Sequence, residues 1–122
     1  MKKTVALVIL LGLYIVSFAQ KEVKLEDISK YVGDSVTVEG PVKGGRYMAN
    51  AKGTPTLLNM GNTYPNQLLT LVVWGDQRSN FKTAPEDAYL NKTVRVHGKV
   101  ILFHDKPEIV IYREDQIELV GK

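Results

Sequence analysis

The chain has 122 residues, 16 Lys+Arg against 13 Asp+Glu for a formal net charge of +3, and no cysteine. The missing cysteine excludes disulfide frameworks, thiol catalysis and lipid attachment at a cysteine. Lys2 and Lys3 fall in a leader segment, which reduces the 16 basic residues to 14 against 13 acidic ones, and a balance so near zero excludes whole-molecule charge as a source of polyanion affinity.

Residues 1–19 read as a signal peptide. Lys2 and Lys3 form its positive start, Val5 to Val16 its apolar stretch of twelve, and Ser17-Phe18-Ala19 sets small residues at the cleavage positions ahead of Gln20. Twelve apolar residues fall short of the ~20 that span a bilayer, so cleavage is expected, with a periplasmic or secreted product and no membrane anchor. Taking 19 from 122 leaves 103 residues, 20–122, enough for a single domain with one modest core.

Leu25, Ile28 and Tyr31 recur at helical spacing, which predicts a short N-terminal helix stopped by Gly33. A first strand follows over about Ser35 to Lys43, with Val36 and Val38 inward and Thr37 and Glu39 outward. Residues 44–53 hold three glycines and no clear period, the pattern of a long, mobile loop. Thr56 to Met60 is a second strand. In the turn after it Pro65 fixes φ and Asn66 tolerates a left-handed backbone. Leu68 to Trp74 is the most apolar strand, with Leu69, Leu71 and Val73 on one face and Thr70, Val72 and Trp74 on the other. Pro85 followed by Glu86 and Asp87 starts a helix. Thr93 to Phe103 is a fourth strand, His104 to Pro107 a hairpin tip, Glu108 to Tyr112 a fifth strand, and Gln116 to Val120 an edge strand or its extension.

Tyr31 to Val42 is echoed by Tyr89 to Val100. Each copy is an aromatic and an aliphatic residue, a polar turn, then an alternating strand interrupted by Gly40 or Gly98. Glycine inside a strand marks a bulge or a sharp bend, the means by which a small sheet coils shut. Three strands, a helix and two strands, two of them bent, predict an all-β fold: a five-stranded Greek-key OB-fold barrel, with a short helix between strands three and four and a short N-terminal helix. A small sandwich would show about seven regularly spaced strands and no internal helix.

Thr56 to Gly61, Tyr64 to Gln67, Leu69 to Gly75, Thr93 to Val100 and Lys106 to Ile109 resemble the OB-fold nucleic-acid-binding domains of exported bacterial proteins, within a wider superfamily that includes the anticodon-binding type. The resemblance implies a binding module, alone or beside a secreted nuclease, with single-stranded DNA or RNA as partner. A second resemblance, to periplasmic OB-fold proteins linked to stress responses, implies a small ligand, an oligosaccharide or a partner protein instead.

OB-folds grip ligands with the first-to-second and fourth-to-fifth strand loops. Here the first holds Arg46, Tyr47 and Lys52, and the second His104 and Lys106, with Lys99 close by on the fourth strand. Trp74 and Tyr112, with Tyr47 and Phe103, are stacking candidates. For Trp74, a large aromatic and so more often core, capping the barrel end over Tyr89 and Leu90 is the favoured role. No cofactor, metal or catalytic group is expected. Only His97 and His104 are imidazoles, zinc-type ligand spacing is absent, and the aspartates fall at turns and helix starts. A monomeric, non-catalytic module is the expectation.

Overall fold

A computed structural model describes residues 21–121; the signal peptide expected over 1–19 lies outside the described residues. The described residues are mostly β. The strands are β1 (Lys21–Lys24), β2 (Ser35–Tyr47), β3 (Thr56–Met60), β4 (Leu69–Val73), β5 (Thr93–Phe103), β6 (Lys106–Val110) and β7 (Ile117–Leu119), and α1 (Pro85–Ala88) is a single turn of helix. They form a seven-stranded sheet in the order β1-β2-β3-β4-β6-β5-β7, and β2 also pairs with β5, so the sheet curls back on itself into a barrel-like ring. Seven strands stand where five are expected. β1, missed because four residues with three charges carry no strand signal, runs parallel to β2. β7 is the expected edge strand and pairs with β5.

The echoed segments form the seam that closes the ring. β2 pairs with β5 from Ser35↔Lys99 to Pro41↔Thr93, and Val38 lies opposite Val96, its own counterpart in the echo. The ends match in the same way. The Val42 amide donates to Lys92 O (2.8 Å) and the Val100 amide to Asp34 O (2.9 Å); the Asn91 amide donates to Val42 O and the Gly33 amide to Val100 O. The sequence repeat is thus a local pseudo-twofold centred on Val38 and Val96.

Each echoed strand changes partner just past its glycine, β2 from β5 to β3 at Val42 and β5 from β2 to β6 at Val100. A Cβ on Gly98 would lie 2.5 Å from Ile109 Cγ2, and one on Gly40 2.7 Å from Leu25 Cδ2. The glycines therefore make room for one core aliphatic apiece, and Leu25 reaches its place from a 3₁₀ helix over Leu25–Tyr31. Val36, Val38, Val42, Leu58, Leu69, Leu71, Val94, Val96 and Ile111 fill the same core.

The stretch read as a long, mobile loop is shorter than expected. Gly44 to Tyr47 continues β2 and pairs with Asn59 to Thr56 after a bulge at Lys43. Glycine hides this strand from periodicity, yet it suits the close approach, since a Cβ on Gly45 would sit 3.0 Å from Leu58 Cδ2. Asn66 is not left-handed; Gly61 takes that conformation (φ 89°), and the Asn66 amide closes the next turn on Thr63 O. The β5–β6 tip contracts to His104 and Asp105, both at positive φ, as a tight two-residue hairpin requires.

Candidate functional site

The outer face of β3, β4 and β6 carries the polar chemistry. Asn59, Thr70 and Glu108 are register partners across the three strands and form one polar row. Beside it Leu57, Val72 and Val110 form an apolar row. The alternation that turns Leu58, Leu69, Leu71 and Ile109 into the core turns these residues outward. Over this face opens a cleft of about 440 Å³. Arg46 and Met48, at and just past the end of β2, line one side, and Phe103, His104 and Lys106 of the β5–β6 hairpin line the other. The segment before β4 supplies Tyr64 and Gln67.

Tyr64 and Phe103 are large aromatic rings left 74% and 57% exposed. Phe103 is held edge-on by His104, with ring centroids 4.1 Å apart. On the floor the Gln67 amide donates to Thr70 Oγ1 at 3.0 Å. Burial pushes the Glu108 carboxyl above its ordinary value, and the neighbouring His104 opposes this. The arrangement is a polar floor, aromatic walls and a basic rim. It suits a flat ring with hydrogen-bonding edges carried on an anionic chain.

Of the eight residues singled out from the sequence, the cleft gathers Arg46, His104 and Lys106. Trp74 and Tyr112, 41% and 53% exposed, come together elsewhere, in a depression of about 490 Å³ with Gly53, Thr54, Asp76 and Gln77. The Trp74 ring lies over Gly53, where a Cβ would approach it to 2.9 Å. Trp74 is outside the buried core, whereas Tyr89, which it was expected to cap, is itself a core residue. This depression has no basic side chain in its lining. Tyr47 is covered by the Arg78 guanidinium, 3.7 Å from its ring centroid. Arg78 is in turn fixed by Glu86 at 2.8 Å and by Thr56 Oγ1 at 2.6 Å. Lys52 and Lys99 are exposed and line neither depression.

Asn59, Gln67, Thr70 and Glu108 were not singled out from the sequence. Thr70 left a readable trace, as the one polar residue of β4, and Glu108 a fainter one, as the polar residue that precedes the apolar run from Ile109 to Ile111. Gln67 lies in turn chemistry and left none. Among the described residues no group of three His, Cys, Asp or Glu could hold a metal ion, and no helix is long and apolar enough to cross a membrane.

No protein-family model matches the chain, and no curated protein matches it. Among solved structures it is similar to a chain assigned as an aspartyl-tRNA synthetase from Leishmania major Friedlin, with a TM-score of 0.53 and 13% identity over 100% of this chain and 26% of that one. This chain thus spans about a quarter of that protein's length. At such identity the likeness is one of fold, a small barrel-like β domain.

Proposed function

We propose that the chain is an exported, non-catalytic OB-fold module that binds single-stranded nucleic acid, weakly and through few phosphate contacts. β2, β3, β4, β5 and β6 would be the five barrel strands, with β1 and β7 as additions flanking the seam. The observation that carries this reading is the cleft on β3, β4 and β6, where exposed Tyr64 and Phe103 stand between Arg46 on one side and His104 and Lys106 on the other. Fold likeness to part of an enzyme named for tRNA is in line with it. Export rests on the leader over 1–19, and mass spectrometry of the exported protein should find Gln20 at its N-terminus.

Fluorescence anisotropy with labelled single-stranded DNA and RNA tests the binding. The two permanently cationic side chains in the cleft, Arg46 and Lys106, at about −0.7 each on a single strand, set a slope of about −1.4 for log affinity against log salt. An Arg46→Ala, Lys106→Ala double variant should flatten the slope by about 1.4, and Lys99→Ala should leave it unchanged. Absence of binding even at ~50 mM salt, where the electrostatic contribution is strong, removes the reading.

The Trp74–Tyr112 depression favours a second reading. An aromatic platform beside Asp76, Gln77 and Thr54, without a cation, suits a neutral small ligand such as a sugar better than an anionic strand. Titration with neutral oligosaccharides, read by Trp74 fluorescence, separates the two readings because Trp74 is the sole tryptophan.

A further inference from the structure

The cleft floor leaves hydrogen-bonding capacity unmet. The Gln67 amide N–H is engaged by Thr70 Oγ1, but the other end of the same amide, Oε1, is buried and meets no partner among the described residues. A buried acceptor without a donor is costly, and folded proteins keep few of them. Glu108 lies in the same cleft, as the register partner of Thr70. Its carboxylate, when ionised, is an acceptor on both oxygens. Glu108 is partly buried, and that burial holds its carboxyl above the ordinary value. A ligand that donates to it would recover part of the lost solvation. Gln67 and Glu108 thus both line the cleft that Tyr64 and Phe103 line, but Gln67 Oε1 is closed to solvent, which leaves the Glu108 carboxylate as the acceptor a ligand can reach.

The Watson–Crick edges of the bases differ in how they meet such a floor. Adenine and cytosine pair one exocyclic amine with a ring-nitrogen acceptor, which would face a carboxylate oxygen. Uracil and thymine offer one N–H between two carbonyls. Guanine alone places two donors side by side, N1–H and the N2 amine, three N–H groups in all. Its O6 would need a donor, and Asn59, at the far end of the polar row beyond Thr70, carries an amide N–H.

We infer that the cleft selects guanine from a single strand, with Glu108 accepting from its adjacent N1–H and N2–H donors. This rests on the nucleic-acid reading above. It adds a base preference to a site otherwise set by charge and stacking.

The test is anisotropy with short oligothymidylates carrying one central guanine, hypoxanthine, adenine or cytosine, beside oligothymidylate itself. Guanine should bind tightest, by roughly 5- to 100-fold over thymine, as a good bidentate pair discriminates between bases. Hypoxanthine, which lacks the N2 amine, should fall between them. Glu108→Gln should abolish the preference, so that the guanine oligomer and oligothymidylate bind that variant with equal affinity, whatever the change in overall affinity. Equal affinity for all the oligomers, with salt dependence intact, overturns the guanine inference and leaves the nucleic-acid reading standing; tightest binding to another base does the same. No binding to any oligomer at low salt removes both. The wild-type comparison decides the matter even if a variant fails to fold.

Discussion

The β2–β5 seam and the outer face of β3, β4 and β6 are built from similar strands and meet opposite requirements. At the seam, backbone approaches backbone, and the inward side chains are either left out or buried. Gly40 and Gly98 leave space that Leu25 and Ile109 occupy, and Val36, Val38, Val94 and Val96 close the interior. On the outer face three strands set Asn59, Thr70 and Glu108 in one row, Thr70 buried and the other two partly exposed, and three separate segments bring Arg46, Tyr64 and Phe103 around it. Closure thus depends on what is left out of the chain, and the cleft on what is set opposite what. The seam should therefore respond to added atoms, and the face to altered polarity.

The largest effect is expected at Gly98. Valine there would drive its methyls into buried Ile109 and should destabilise by about 2–3 kcal/mol, read as a lower midpoint in urea denaturation. Gly40→Val should cost less, about 1–2 kcal/mol, because the first atom met is the tip of Leu25 and can rotate aside. Gly44→Val, where a Cβ meets only the Asn59 amide at 3.4 Å, should cost the least of the three. Equal losses at all three positions would break the distinction between seam and face.

An intermediate effect is expected at Arg78, which ties the helix α1 to β3 through Glu86 and Thr56. Arg78→Met should cost about 1–2 kcal/mol and free the Tyr47 ring. The hydrogen bond from Arg78 holds the Glu86 carboxyl below its ordinary value, against the opposing effect of burial. A depressed folded-state value gives stability that is present above the unfolded value and is lost as pH falls through the folded one. The gap between wild type and Arg78→Met should therefore close in acid, and a pH-independent gap would contradict this origin.

Glu108 has the opposite sign. Burial raises its carboxyl in the folded state, so its favourable contribution belongs to the protonated form at low pH and is lost as pH rises through the raised value. Glu108→Gln should accordingly raise the melting temperature slightly at neutral pH and make no difference in acid. Tyr64→Ala should be the quietest change for stability, within about 0.5 kcal/mol given its exposure. It should nonetheless weaken single-strand binding by ~1–3 kcal/mol if a base stacks there. A variant neutral in both respects would shift the site away from Tyr64.

The same contrast explains what was legible in the sequence. Strands β3, β4 and β5 could be placed from alternation to within a residue or two, and Pro85 marked the first position of α1, because each signal is local. The echo singled out Gly40 and Gly98 as bend points, and the structure puts a change of strand partner just past each. β1 and the glycine half of β2 escaped, since their pairing depends on a distant strand rather than on their own pattern. Basic loops were visible as composition, but composition does not say that Lys52 and Lys99 stay outside the cleft while Arg46, His104 and Lys106 line it. Gln67 and Glu108, far apart in the chain, converge only once β4 and β6 lie side by side.

The pseudo-twofold also bears on how quickly the barrel can assemble. Thr37 and His97, hydrogen-bonded across the seam at 2.8 Å, are 60 positions apart, whereas the β5–β6 hairpin closes around a two-residue turn. Loop closure becomes costlier as the loop lengthens, by about 0.6 kcal/mol per doubling, and the cost falls before the contact repays it. The two hairpins β3–β4 and β5–β6 should therefore form early, and the seam should join them last. On that order Gly40→Val, whose Cβ would meet Leu25 rather than a residue of its own hairpin, would act mainly by hastening unfolding rather than by slowing folding. Matched folding and unfolding rates across a denaturant series would reveal it, and a folding arm slowed as much as the unfolding arm is quickened would place the seam in the nucleus instead.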